Sequence, residues 1–229
     1  ASRVAFINEI SRICELFGVD VHHVEQGMLL DPRFGNSYLN AGIGYGGACL
    51  PKDLAALIYT AHSVGFKPIL CDAIAAQNEQ QVQHIIDQIC LIAEEGETVT
   101  IFGISFKAGT SDVRNSLTIK IIQELINRKR VVVATDPETL EYARSLSEIS
   151  AATLTKNPWE AVKGSDMQVF LPPWPEYKLL NLEHLRNAVN KARIFDGPGL
   201  FDPQVVKNAG FEYIGIGRVK ANQRMVIEH

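Results

Sequence analysis

Thr98-Val99-Thr100-Ile101-Phe102-Gly103 decides the fold. β-Branched and aromatic residues run straight into a glycine, the pattern of a buried strand that ends at a turn. A helix is expected from about Ser116 to Asn127, and a second strand over Val131-Val132-Val133-Ala134. Strands at 152–154, 167–171, 192–195 and 211–214 then alternate with helices at 158–162, 182–189 and 203–208. Short apolar strands separated by helices imply βαβ units, right-handed crossovers and a mostly parallel sheet. Ligands of such sheets gather at the carboxyl ends of the strands. The turns beginning at Gly103, Thr135, Pro172 and Asp196 are therefore the places where chemistry is expected.

Upstream of this α/β part the chain reads as helical. Phe6, Ile10, Ile13 and Phe17 recur at four-three-four spacing, and Gly18 stops that helix. Asp20 caps a short helix ending at Gly27, a loop runs from Leu30 to Ala48, and a helix follows from about Leu50 to Ser63. A longer helix after Pro68 carries Val82, Ile85, Ile86, Ile89 and Ile92 along one stripe and ends at Gly96. Such a stripe, with Gln-rich flanks, serves either the core or a partner helix. The expected division is a helical domain over 1–96 and an α/β domain over 97–229.

The loop Gly42-Ile43-Gly44-Tyr45-Gly46-Gly47-Ala48-Cys49-Leu50-Pro51-Lys52-Asp53 sets a cysteine where a helix begins. Pro51 suits the first turn, and Asp53 complements the helix dipole there. A helix N-terminus and an adjacent Lys52 both favour the thiolate, which is the nucleophile. The competing reading, a small buried cysteine beside a tight turn, stays open. Gly42, Gly44 and Gly47 also satisfy G-x-G-x-x-G, but the residues before them, Phe34 to Ala41, do not form a buried strand, so the dinucleotide fingerprint is rejected.

A second constellation, Gly103 to Ser116, lies between the first α/β strand and its helix. Lys107 and Arg114 suit phosphate contact as point charge and fork respectively, and Ser116 suits a helix cap. A plain surface loop with Arg114 paired to Asp112 is the alternative.

Composition narrows the classes. The chain of 229 residues is 46% hydrophobic and 21% charged, ordinary values for a globular protein. A net charge of −4, without any Lys/Arg-rich run, argues against a nucleic-acid partner. No apolar stretch approaches the roughly 20 residues of a membrane span, and the N-terminus lacks the pattern of a signal peptide. The four cysteines, Cys14, Cys49, Cys71 and Cys90, form neither a zinc framework nor a disulfide scaffold. Reduced thiols in a cytoplasmic protein, with no metal, are expected.

Taken together, these segments resemble the UDP-glucose/GDP-mannose dehydrogenase family. Ala5-Phe6-Ile7-Asn8-Glu9 is similar to the family's central helix, and Tyr38 to Asp53 to its nucleophile loop. Gly103 to Ser116 resembles its G-x-x-F-K-x-x-T-x-D-x-R-x-S segment, and Asp196 to Pro203 its last turn. The resemblance implies a helical, dimerisation-type central domain followed by a Rossmann-like, nucleotide-sugar-binding domain. It implies oxidation of a nucleotide sugar's primary alcohol to a carboxylate with NAD, and a homodimer through the helical domain. Cys49 would capture the intermediate aldehyde as a thiohemiacetal that becomes a thioester, and Asp53 would assist proton transfer. Tyr38, Asn40, Gly46, Phe106 and Lys107 would contact the nucleotide sugar, and Arg33 that of a neighbouring subunit. Lys52 and Arg114 would contact the cofactor.

Departures accompany the match. The family's N-terminal NAD-binding domain has no counterpart, nor do the lysine and asparagine that precede the point matching Ala1. Asp196-Gly197-Pro198-Gly199 stands where D-G/A-R-N is usual, and Leu171-Pro172-Pro173-Trp174 where T-E-W is common. The expectation is part of a UDP-glucose 6-dehydrogenase that does not turn over in isolation. A GDP-mannose dehydrogenase, a non-catalytic nucleotide-sugar-binding or dimerisation module, and an unrelated Cys–His hydrolase are the alternatives.

Overall fold

The computed structural model describes residues 1–35 and 38–218. Positions 36 and 37 of the Phe34–Ala41 segment, and 219–229 of the α/β part, lie outside the described residues. Four helices come first. Helix α1 (Ser2–Phe17) ends on Gly18, which turns left-handed at φ 64°, a conformation glycine adopts without the Cβ penalty. Helix α2 (Val21–Leu29) starts at Asp20, whose carboxylate accepts the His22 amide, and continues past Gly27. Helix α3 (Leu50–Ser63) carries Pro51 in its first turn. Helix α4 (Ile69–Ile92) stops short of Gly96, because the Arg130 guanidinium takes the carbonyls of Cys90 and Ala93 at its end.

Helix α1 presents a different face to the protein than its aromatic stripe suggests. Phe6, Ile13 and Phe17 are 47%, 44% and 58% exposed. The buried side consists of Ala5, Ile7, Asn8, Ser11 and Cys14. Apart from Ile7, these side chains are small or can hydrogen-bond, so neighbouring backbone approaches closely there.

The second half is a six-stranded sheet in the order β3-β2-β1-β4-β5-β6. Its strands are β1 (Thr98–Phe102), β2 (Val131–Thr135), β3 (Thr153–Leu154), β4 (Met167–Phe170), β5 (Arg193–Asp196) and β6 (Glu212–Gly215). Every pairing is parallel. That is the doubly wound order, whose switch point lies where β1 meets β4. Connections run through α5 (Leu117–Asn127), α6 (Leu140–Ala143), α7 (Pro158–Ala161), α8 (Pro175–Lys178), α9 (Leu182–Ala188) and α10 (Pro203–Asn208). The single turns α6 and α8 fall where the sequence shows only loop; each is too short to leave a helical period.

Both faces of the sheet are covered. On one, Ile101 and Val169 pack with Ile121 and Leu125 of α5 and with Val82, Ile85, Ile86 and Ile89 of α4. On the other, the stacked rings of Phe102 and Phe170 (centroids 4.2 Å apart) meet Tyr177, Leu185 and Val206. Each fully buried aliphatic side chain contributes roughly 1.5–3 kcal/mol. The second half of α4 is therefore tied firmly to the sheet, while α4 also packs on α1 and α3.

A further seam joins the α1–α2 corner to the residues after β6. The Val21 amide donates to the Gly217 carbonyl (2.8 Å), and the Gly217 amide donates to Glu15 Oε1 (2.8 Å). Arg218 pairs with Asp20 through contacts of 2.8 and 2.9 Å. At Gly217, φ is +65° and an added Cβ would stand 2.5 Å from Val21 Cγ1 and 2.9 Å from Ser11 Cβ. Gly217→Ala is thus expected to cost about 2–5 kcal/mol, from left-handed strain plus overpacking. Gly65→Ala, also at positive φ but with open space around it, is expected to cost only about 1–2 kcal/mol. Urea denaturation midpoints of the two variants check the difference.

Candidate active site

The segment 41–47 has no regular structure, so its peptide groups need partners from elsewhere. Side chains supply them. The Gly42 amide donates to Asn8 Oδ1 (2.8 Å), and its carbonyl accepts from Gln81 Nε2 (2.9 Å). Asn78 grips Tyr45 on both sides, accepting its amide (2.8 Å) and donating to its carbonyl (3.0 Å). Buried Glu25 accepts the Ala41 amide (2.6 Å). The residues that hold the loop, Asn8, Glu25, Asn78 and Gln81, sit on three helices.

The glycines have a defined purpose. A Cβ on Gly44 would stand 2.5 Å from Asn78 Oδ1, one on Gly46 2.5 Å from the Asn115 carbonyl, and one on Gly47 2.7 Å from the Phe106 ring. They let the loop lie directly against α4 and against the 103–116 loop of the sheet. Gly42, with no atom within 4 Å of such a Cβ, carries no such constraint.

Cys49 is exposed and forms the N-cap of α3; its carbonyl accepts the Asp53 amide (3.0 Å). The Asp53 carboxylate is engaged by Lys52, which holds the Lys52 ammonium above its ordinary pKa. The pair is solvent-exposed and contributes little to stability.

The 103–116 loop is tied down from behind. Asp136, buried at the end of β2, accepts from the Ile104 amide (2.7 Å), the Ser105 amide (3.0 Å) and the Ser105 hydroxyl (3.1 Å). Its other oxygen accepts from the amides of Glu138 and Thr139. Ser116 precedes α5 but makes no side-chain cap; its hydroxyl donates to the Ile104 carbonyl (2.6 Å) and closes the loop. Lys107 is exposed, with its ammonium 5.5 Å from the Phe106 ring centroid. Arg114 forms a fork on Asp112, at 2.7 Å for Nη2. The pair lowers the pKa of Asp112 and raises that of Arg114.

The candidates therefore separate into groups. Gly46 meets the 103–116 loop directly, at Asn115, and the adjoining Gly47 meets Phe106, beside Lys107. Cys49 adds a small share to the raised pKa of Lys52 and to that of Arg114. Asn40 lines a small polar cavity of about 110 Å³ with His22, Glu25, Pro198 and Arg218. Arg33 pairs with Asp31 and lines a separate groove with Arg3, Phe6 and Phe34. Tyr38 is exposed and holds φ at 64°. Asp196 does not reach into the site: its carboxylate accepts the Leu200 and Phe201 amides and the Tyr213 hydroxyl, and burial raises its pKa.

A dinucleotide does not fit at this sheet's switch point. The amides after β1 that would face a pyrophosphate are spent on Asp136. The carboxylate after β2 that would take a ribose is the same Asp136, turned inward. The Pro172 ring also fills the space beside Gly103, 2.3 Å from where a Cβ would lie. Among the described residues no cluster of three His, Cys, Asp or Glu could hold a metal ion, and no helix is long and apolar enough to cross a membrane.

A doubly wound sheet with its β1 loop bound to a glycine loop from a helical module defines a Rossmann-like α/β protein with a helical module ahead of the sheet. The chain belongs to the UDP-glucose/GDP-mannose dehydrogenase family: residues 1–80 match its central domain and residues 100–203 its UDP binding domain. It is 36% identical over 220 residues to UDP-glucose 6-dehydrogenase TuaD of Bacillus subtilis, covering 95% of this chain and 48% of that protein. It is 35% identical over 222 residues to the UDP-glucose 6-dehydrogenase of Rickettsia prowazekii, covering 95% and 51%. Among solved structures, a UDP-glucose dehydrogenase from Pyrobaculum islandicum superposes with a TM-score of 0.81 at 28% identity, over 95% of this chain and 48% of that one. GDP-mannose dehydrogenase from Pseudomonas aeruginosa superposes with a TM-score of 0.65 at 27% identity, over 94% and 50%. The chain thus spans about half the length of these relatives.

Because so many donors converge on Asp136, Asp136→Asn leaves backbone amides facing an NH₂ group. A loss of about 2–4 kcal/mol is expected, read as a lower thermal midpoint, with faster hydrogen exchange at the Ile104 and Ser105 amides.

Proposed function

We propose that the chain forms the central and C-terminal parts of an NAD-dependent nucleotide-sugar 6-dehydrogenase acting on UDP-glucose, with a helical module over 1–96 and a nucleotide-sugar-binding module over 97–229. One observation carries the reading: the Cys49 loop and the Lys107 loop are packed on each other, at Gly46 against Asn115 and Gly47 against Phe106. The loop that leads into the Cys49 sulfur and the loop that carries the Lys107 cation are then neighbours, which suits an enzyme acting on the sugar of a nucleoside diphosphate sugar.

In this reading Lys107 neutralises diphosphate charge, and Phe106, Tyr38, Asn40 and Gly46 contact the nucleotide sugar. Cys49 Sγ adds to the carbon of the sugar aldehyde and forms the C–S bond. After oxidation the acyl group stays on that sulfur until water displaces it, which releases the carboxylate and restores the thiol. Asp53 assists the proton movements. NAD supplies the hydride acceptor in this chemistry, but the described residues build no dinucleotide site, so Lys52 and Arg114 can only meet a cofactor held elsewhere. The 229 residues alone are therefore expected to release no NADH from UDP-glucose and NAD. Free thiols at all four cysteines support a cytoplasmic setting.

A homodimer through the helical module belongs to the same proposal, with Arg33 reaching a partner's substrate. Exposed Phe6, Ile13, Leu16 and Phe17 on α1, and Leu57 and Tyr59 on α3, support it. Sedimentation velocity is expected to show a dimer that Leu16→Lys weakens about tenfold or more, the effect of one buried interface charge.

Calorimetric titration tests the substrate. UDP-glucose and UDP are expected to bind, GDP-mannose more weakly, and Lys107→Ala to lose about tenfold or more in UDP affinity, the weight of one charge-assisted phosphate contact. No heat with any of the three sugars or nucleotides would overturn the reading.

A further inference from the structure

The glycine loop lies across the carboxyl ends of three strands on its way to Cys49. At one side Ile43 rests on the turn after β5, where a Cβ on Gly197 would stand 3.1 Å from Ile43 Cγ2 and 2.9 Å from the Phe170 carbonyl at the end of β4. At the other side Gly46 and Gly47 rest on the loop after β1, against Asn115 and Phe106. The span runs over β5, β4 and β1, which are adjacent in the sheet.

The two fastenings differ in kind. Contact at the β5 side is apolar. At the β1 side one residue makes a matched pair of hydrogen bonds: Asn115 Nδ2 donates to the Gly47 carbonyl (3.2 Å), and the Gly47 amide donates to the Asn115 carbonyl (3.4 Å). Asn115 holds φ at 50°, a region open to asparagine more than to other side chains besides glycine. Among the described residues no other hydrogen bond joins the two loops. Lys107 lies eight positions before Asn115, and Cys49 two positions after Gly47. We infer that Asn115 is a positioning residue that passes order from the Lys107 loop to the Cys49 loop, a coupling that rests on the proposed role of Lys107. A diphosphate that immobilises the first loop then lowers the freedom of the second, because the entropy of the shared hydrogen-bonded joint is lost only once.

Amide hydrogen exchange of the full chain, followed by NMR with and without saturating UDP, tests the coupling. UDP carries the diphosphate but not the sugar on which Cys49 would act. In the wild-type protein UDP is expected to slow exchange about fivefold at the Phe106 and Gly47 amides alike, the weight of one neutral hydrogen bond. Asn115→Gly keeps the left-handed backbone accessible and removes only the side-chain amide. It is expected to retain the UDP protection at Phe106 and to lose it at Gly47. Without UDP it is expected to speed Gly47 exchange about fivefold, while Tyr45, held by Asn78, keeps its wild-type rate. Asn115→Asp, which has no side-chain donor for the Gly47 carbonyl, is expected to behave as the glycine variant does. General destabilisation would instead speed Phe106, Tyr45 and Gly47 together, and that pattern overturns the inference. UDP protection at Gly47 that survives in Asn115→Gly overturns it too, as does wild-type protection confined to Phe106. UDP that protects neither amide refutes the proposed substrate and the coupling together, so the two failures are told apart at Phe106. Should the glycine variant fail to fold, full UDP protection at Gly47 in Asn115→Asp overturns the inference independently.

Discussion

The structure depends on one constraint: a loop that leads into Cys49 without regular secondary structure must still have its buried peptide groups paired. Residues 41–47 meet it by borrowing side chains from three helices. Amides suit the task because each carries a donor and an acceptor, and Asn78 uses both on Tyr45. The arrangement leaves a residue of unmet demand. Asn8 Nδ2, Gln81 Oε1 and both polar atoms of Gln77 are buried without a partner among the described residues. Unpaired buried amides cost of order 1–3 kcal/mol apiece in mutational studies.

Helix α4 turns that local arrangement into a global one. Asn78 and Gln81 face the glycine loop, and a few residues later Val82, Ile85, Ile86 and Ile89 enter the core of the sheet. At about 1.5 Å per residue, a single rigid rod spans the distance between the two kinds of architecture. The change of composition near Gly96 is visible in sequence, but packing crosses it without a break. The position of Cys49 relative to the sheet is therefore set by helix geometry rather than by a linker.

Much of this was legible from residues alone. Strands buried on both faces are continuous apolar runs, so Thr98–Phe102 and Val131–Ala134 declare themselves and the parallel sheet with them. Cys49 at a helix start follows from Pro51 and the glycines before it. The holders of the loop were not legible. A polar residue on a helix gives no sign of whether it meets water or backbone, which hid Asn8, Glu25, Asn78 and Gln81. Helix α1 misleads for a related reason: its largest side chains point outward, because its inner face has to stay small. Ser116 has the right chemistry for a cap, yet its hydroxyl finds the Ile104 carbonyl instead. Asp136 occupies the place of a ribose ligand but is consumed by the chain's own amides, a fact set by loop conformation and not by residue type.

The seam between Gly217–Arg218 and the Glu15–Asp20 corner joins residues about 200 positions apart in sequence. Contacts of such separation form late, since the closure entropy has to be met before they give any return. During vectorial synthesis α1 and α2 leave the ribosome well before β6, yet they must wait for the residues after β6 before the Glu15 carboxylate and the Val21 amide find their partners. The α1–α2 corner is then completed only after the sheet, and it holds Cys14 and the apolar surface of α1 less securely until β6 is made. Loss of Gly217 and Arg218 would accordingly be felt about 200 positions away, at Glu15, Asp20 and Val21.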